Sequence, residues 1–454
     1  MSSGAWLLLL LGVALALAFL RRLSAPGFFA ANHRASALLA GLAGTAMGLS
    51  AFVFVGGPAL TAQVGSGALW IILPAPLTAV LQCWVLGGWI LSQQPRVLSI
   101  PELLGRRLGS GVRLVASALL ACGCLAGLAV QGKAVAVLAS GLWGGDGTLW
   151  AFAVLFATVA YMAAGGMRAG LVVDAVQGGL MGLVALILAA AALVHAREAV
   201  GQVLLHPTPL LSSFGQVAPA QAFSWYLLFT LGTLAQPHYL QKFLLLRSRH
   251  ELRSFPWVLT ASLMVVLAVW LGLGLASLAL VQRGDLPTGL GDAVIPQLLR
   301  QLGPWAVTAA ALGVLAAIMS TVASFCNLLA AAVAYDLPQA LGKAPWPLGW
   351  ARGLTVLGGL LGTWIGVSSD RSVAVLGLLG WGFFTACLLP AVLGARFGAT
   401  CAPAIAAGMV AGAVSCVVLE LLRPSFPWPV EPGLFGAAVG LGVVTVAGWR
   451  RSRS

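Results

Sequence analysis

Long apolar stretches dominate the chain and recur at near-regular intervals, with short polar punctuation between them. They fall at about residues 5–20, 38–64, 68–92, 112–141, 147–164, 168–195, 220–237, 254–281, 304–336, 347–368, 371–394, 399–421 and 432–449. A helix needs roughly 20 apolar residues to cross a hydrocarbon core of ~30 Å, and most of these runs approach or exceed that. The pattern predicts an all-α polytopic membrane protein of about 13 transmembrane helices. It leaves no room for a sizeable soluble domain.

Composition agrees. Of 454 residues, 60% are apolar and 8% charged, with a mean hydropathy of +1.00. Soluble domains carry about 25% charged residues, so a water-soluble enzyme is excluded. The net charge of +13 sits in short loops, as the positive-inside bias places it, and does not form a nucleic-acid surface. With the N-terminus outside, 18 of the 24 Lys and Arg fall in cytoplasmic loops and the C-terminal tail. Five face the other way (Arg197, Arg283, Arg300, Arg371 and Arg423), and Lys133 lies inside a run. The predicted orientation is therefore N-terminus out and C-terminus in. The first run lacks a basic n-region and is followed by Arg21-Arg22, which predicts an uncleaved span. The seven cysteines show neither CxxC nor Cys/His metal spacing and read as small apolar fillers.

Two spans carry helix-loosening residues. The second contains Gly41, Gly44, Gly48 and Gly56-Gly57-Pro58; the seventh ends in Gly232-Thr-Leu-Ala-Gln-Pro-His238. Free carbonyls inside a bilayer persist only where they line a cavity. These spans open two halves of five spans each, 38–195 and 220–394. Five is odd, so the second half must insert inverted. Interrupted helices at matching positions of inverted halves point to a transporter's midplane site, while the plainer role of the glycines is close helix packing. A single transporter domain, 1–454, is expected: an extra N-terminal span (5–20), the five-plus-five inverted-repeat core and two C-terminal spans (399–449).

Four ordered motifs strengthen this. Tyr161, Gly165-Gly166, Ala169, Asp174 and Gln177 stand at the spacing Y-T-x-x-G-G-x-x-A-V-x-x-T-D-x-x-Q, with Met162 and Val173 for threonines and Gly170 for valine. Ser99-Ile-Pro-Glu102 followed by Arg107 is like S/T-I-P-E-Y-L-x-x-R. Gln236-Pro-His238 followed by Lys242-Phe243 is like Q-P-H-x-x-x-R-F, with lysine for arginine, and Ala316-Ala317-Ile-Met-Ser320-Thr321 is the fourth. Together they resemble the sodium:solute symporter family, which has the leucine-transporter type of inverted-repeat fold.

That resemblance implies a multi-pass protein of the cell (inner) membrane that imports a small organic solute with sodium by alternating access. The solute would be an amino acid, a carboxylate or similar. Sodium would be the coupling ion, with no other cofactor and no nucleic-acid partner. By position, sodium would be held by the carbonyls of Ala46, Leu49 and Ala317 and the hydroxyls of Ser320 and Thr321. Sodium takes oxygen ligands, and positions 317, 320 and 321 share one helix face. The plainer alternative has the two hydroxyls bonding back to their own helix. Asp174 is an intramembrane carboxylate, assigned to sodium release and coupling, or else to a structural pair with a cytoplasmic arginine such as Arg168. Several amino-acid-transporting members carry an aspartate where Gly48 stands, which weakens a proline-type assignment.

Solute candidates beside the breaks are Ser50, Phe52, Gln131, Tyr226, Thr233 and Gln236. Lys133 either snorkels to the outer interface or edges a vestibule that attracts a solute carboxylate. Ser99 to Glu102 reads as a capping box. Phosphate loops, paired catalytic carboxylates and a nucleophile elbow are missing, so no enzyme chemistry is expected. Two other readings stay open: proton coupling on the same fold, and a membrane sensory input working with a separate kinase. The sequence names neither the solute nor the oligomeric state.

Overall fold

The structure, a computed structural model, describes residues 24–206, 208–398, 401–423, 425 and 428–451. It is helical, with one isolated bridge between Ala35 and Leu246 and no strand among the described residues. In chain order the main helices are α1 (Ala25–Ala30), α2 (Ala37–Gly48), α3 (Gly57–Val64), α4 (Ala75–Gln82), α5 (Ile100–Leu108), α6 (Ser110–Trp143) and α7 (Gly147–His195). Then follow α8 (Pro219–Gly232), α9 (Pro237–Leu245), α10 (Phe255–Arg283), α11 (Pro304–Ala330), α12 (Leu348–Val367), α13 (Val373–Phe397), α14 (Ala402–Leu422) and α15 (Pro432–Arg451). Among the described residues, eight helical runs are long and apolar enough to cross a membrane, and two more, Ala37–Gly48 and Pro432–Ala447, are apolar but shorter. The predicted span at 5–20 lies outside the described residues. Each of the other predicted runs is occupied by helix.

The seventh run needs a correction. The apolar stretch stops at residue 237, yet the helical segment continues: α8 gives way to a tight turn at Thr233–Ala235, and α9 then runs from Pro237 to Leu245, buried throughout. His238, Gln241 and Lys242 end the hydropathy signal because they are polar. They stay inside because the bundle supplies polar surroundings, such as Asn327 Oδ1, which accepts from Gln241 Nε2 at 2.7 Å. Lys242 is therefore no loop residue.

Further ion pairs join the helix ends and loops. Among the described residues they are Arg106–Glu102, Arg113–Asp336, Arg247–Glu251, Arg283 with Glu198 and Asp285, Arg371–Glu420, and Arg423 with Glu420 and Glu431. Half of the expected capping box is formed, with Ser99 Oγ accepting from Glu102 N at 3.1 Å. Glu102 Oε2 accepts from Leu98 N at 2.8 Å.

Glu251 fixes the start of α2. Its Oε2 accepts from Ala37 N at 2.6 Å, which places a carboxylate at the positive end of the helix. That backbone bond, helped by Arg247, holds the carboxyl below its ordinary value of 4.5. A depressed carboxyl stabilises the fold above its ordinary range, and the contribution is lost as pH falls below about 4.5.

α7 joins two predicted spans and changes direction at Gly166, whose φ of +55° and ψ of −158° suit glycine almost alone. A Cβ there would lie 2.6 Å from Phe28 Cδ2 and 2.8 Å from Phe28 O. Backbone strain alone costs about 1–3 kcal/mol, so Gly166→Ala is expected to lower the thermal midpoint and unseat Phe28. Cysteine labelling at position 28 reads the second effect. An unshifted midpoint with protected Phe28→Cys would refute both.

Candidate functional site

The site forms where α2 ends inside the bundle. Gly41 allows the close approach to α10, since a Cβ would meet Val258 Cγ1 at 2.3 Å. Leu49 leaves helical geometry at ψ 44°, although its N–H still bonds to Thr45 O at 2.9 Å. Helix resumes beyond Ser50, through a wide turn at Phe52–Gly56, into α3. Gln131 of α6 bridges the gap, its Oε1 accepting from Ala51 N at 3.4 Å. The carbonyls of Ala46 and Leu49 accept no hydrogen bond among the described residues. Both residues are buried.

α11 faces this break. Ser320 is fully buried and its hydroxyl has no hydrogen-bond partner. Thr321 donates to Ala317 O at 3.1 Å, the back-bond expected of a membrane-buried threonine. Lone pairs remain on that hydroxyl, and Thr321 lines the same cavity as Met47, Gly48 and Ser50. Of the five predicted sodium oxygens, three are thus unpaired (Ala46 O, Leu49 O and Ser320 Oγ), and two are bonded to each other.

Asp174 lies one turn before Gly178, whose missing side chain lets α7 touch α2: a Cβ there would be 2.1 Å from Leu42 O. The carboxylate faces the Ser320 hydroxyl and lies near the Tyr161 phenol. Its charged partner is Lys242 at 3.5 Å, each side chain 1% exposed. This cation comes from α9, which folds back into the bundle. Asp174 Oδ1, Lys242 Nζ, Tyr161 Oη and Ser320 Oγ all lack a hydrogen bond of normal geometry. Sequence reasoning quoted Lys242 within the third motif but assigned it to a loop. The substitution of lysine for arginine was the signal it passed over.

A cavity of about 100 Å³ lies between the two helix breaks. Ser50, Phe52, Gln131 and Gln236 line it, as predicted. Three other candidates do not. Thr233 is engaged by Gln82, which donates to its carbonyl at 2.6 Å and its hydroxyl at 2.7 Å. Tyr226 packs edge-on to Trp70 with centroids 6.0 Å apart. Lys133 does not line the cavity: its ammonium donates to Ser369 O at 2.6 Å and ties α6 to the turn before α13. His238, Tyr239, Phe229 and Trp381 were missed and also line the wall. Scattered over three helices, they share no spacing that a sequence could show.

Comparison across protein families matches residues 28–412 to the sodium:solute symporter family. The chain belongs to that family, one of membrane transporters and not of enzymes. The sodium/proline symporter of Salmonella typhimurium is 25% identical over 317 residues, 66% of this chain and 62% of that protein. The match thus spans less than two thirds of that relative. Among solved structures, a Na+-coupled sialic acid symporter in a substrate-bound outward-open state is similar at a TM-score of 0.83 and 16% identity, covering 98% of this chain and 97% of that one. A nucleobase-cation-symport-1 family transporter, closed with bromovinylhydantoin bound, follows at 0.60 and 15%, covering 93% of each chain. At these identities the structures establish the fold alone.

Removing one partner of a buried ion pair costs about 3–5 kcal/mol, whereas replacing both with neutral groups costs far less. Lys242→Met is expected to destabilise the protein strongly, and Asp174→Asn combined with Lys242→Met to recover most of the loss. Thermal unfolding of the purified proteins measures both. Equal losses in the single and double variants would show that the two residues do not act as a pair.

Proposed function

We propose that the chain is a sodium-coupled symporter that imports a small organic solute by alternating access. It sits in the cell membrane with thirteen spans, N-terminus out and C-terminus in, its ten core spans forming two inverted halves. The observation that carries this reading is the set of unpaired oxygens on Ala46, Leu49 and Ser320 where α2 breaks opposite α11. Buried polar atoms left unpaired cost about 1–3 kcal/mol each, a cost a bound cation removes. Sodium held by these three, Ala317 O and Thr321 Oγ1 would brace α2 against α11 and favour the outward-facing state. Asp174, facing Ser320, draws sodium inward. Lys242 reclaims the carboxylate as sodium departs, which aids release.

Proton coupling has one observation in its favour, the buried titratable pair Asp174–Lys242 beside Ser320. The two readings separate without knowledge of the solute. Under sodium symport, sodium chloride raises the unfolding midpoint over choline chloride, and Ser320→Ala with Thr321→Ala abolishes that difference. A midpoint that follows pH and ignores sodium would favour the proton reading.

Asp174→Asn keeps the shape and loses the charge. The sodium concentration for half-maximal stabilisation should rise by roughly tenfold, about 1.4 kcal/mol of lost attraction. A wild-type sodium requirement in this variant would leave Asp174 a structural partner of Lys242 only.

A further inference from the structure

A second cavity, of about 420 Å³, lies between α6, α13 and α14. Leu376, Leu379 and Phe383 line it, at helical spacings of three and four that put them on one face of α13. The neighbouring face, with Gly377, Gly380, Trp381 and Phe384, lines the central cavity instead. Cys122 and Ala126 of α6 form one wall and Val417 of α14 another. Cys122 and Val417 are exposed, so the groove opens on the surface that spanning helices turn to lipid.

One end of this apolar groove is polar. Arg371, in the turn before α13, forms an ion pair there with Glu420 of α14. The turn is fixed, since Arg371 N donates to Ser369 Oγ at 3.2 Å and Lys133 Nζ holds Ser369 O at 2.6 Å. Arg423 also donates to Glu420, at 3.4 Å. The Glu420 side chain is 9% exposed and that of Arg371 39%, so the pair turns its positive partner outward. Arg371 reaches Glu420 through Nη1, while its Nε and Nη2 make no hydrogen bond among the described residues. Those two nitrogens form one edge of the planar guanidinium, a fork suited to two oxygens of a phosphate.

An apolar groove with a guanidinium fork at its end matches an amphiphile whose phosphate joins a head to hydrocarbon chains. A free phosphate would leave the groove unfilled, and a plain hydrocarbon would leave the fork unpaired. The volume of about 420 Å³ falls within the ~300–1,000 Å³ usual for ligand sites. We propose that the groove binds one membrane phospholipid, with an acyl chain along Leu376, Leu379 and Phe383 and the phosphate on the Nε–Nη2 edge of Arg371. Because α13 carries the groove on one face and the central cavity on the next, the lipid braces the helix on which that cavity is built.

Thermal unfolding of the full chain in detergent micelles tests the site. The probes are dioleoyl phosphatidylglycerol, dioleoylglycerol (the same chains without phosphate) and inorganic phosphate. Phosphatidylglycerol should raise the midpoint saturably, with an apparent Kd roughly tenfold below that of dioleoylglycerol, and inorganic phosphate should leave the midpoint unchanged. Val417→Trp fills the mouth of the groove, leaves the ion pair intact and should weaken phosphatidylglycerol by roughly tenfold. Leu357→Trp, at an exposed position of α12, should respond as wild type does. Arg371→Gln leaves Glu420 its contact with Arg423 and should bring phosphatidylglycerol down to the level of dioleoylglycerol. Equal shifts with the two dioleoyl compounds, no saturable shift, a shift with inorganic phosphate alone, or an unchanged response in Val417→Trp overturns the assignment. A midpoint that rises with protein concentration and ignores lipid gives the groove to a second copy of the chain, and overturns it as well.

Discussion

Inside a bilayer each backbone N–H and C=O must find its partner within the protein, because lipid offers none. α2 breaks that rule at its end, where the carbonyls of Ala46 and Leu49 accept nothing. The break survives because it is buried in protein, with Gln131 covering the N–H of Ala51 from α6 and Ser320 facing it from α11. Everything else in the site follows from this gap. It sets where a cation can replace missing N–H groups, and it opens the cavity in which a solute can lie. It also makes the position of α2 sensitive to what occupies either place.

The second constraint is the buried pair Asp174–Lys242. Two charges 1% exposed exist at this depth only together, and the pairing draws α9 into the bundle. α9 is held from its other side by a relay in which Gln241 donates to Asn327 and Asn327 Nδ2 donates to Phe28 O at 2.8 Å. The segment preceding α2 is thereby linked to the helix that follows the second break. Phe28 packs against Gly166, where α7 changes direction. Side-chain bonds thus join α9, α11 and the segment before α2.

The fold persists at low sequence identity. At 16% identity the sialic acid symporter keeps the architecture across 98% of this chain. Close helix packing demands small residues at fixed points, such as Gly57 against Trp270, where a Cβ would approach a ring carbon to 2.4 Å. The cavity wall carries no such demand, since any residue of similar volume keeps the helices apart.

By itself the sequence determined the membrane class, the positions of the helices from the second run to the last, the breaks in two of them and the family. Hydropathy and backbone chemistry act locally, so apolar length, glycine and proline report on the segment that carries them. The candidate oxygens on α11 fall together for a related reason, since positions 317, 320 and 321 share a face by helix geometry alone. Tertiary structure decided the rest. Lys242 looked like a loop residue because hydropathy counts charge without seeing a partner 68 positions away, and that partner makes burial tolerable. Lys133, Thr233 and Tyr226 looked like pocket residues because they neighbour the breaks in sequence. Ser369, Gln82 and Trp70, brought in from distant helices, claim them. The aromatic residues of the cavity wall come from several helices with no common spacing. Which side chain faces a cavity is set by packing between segments, and no single segment encodes it.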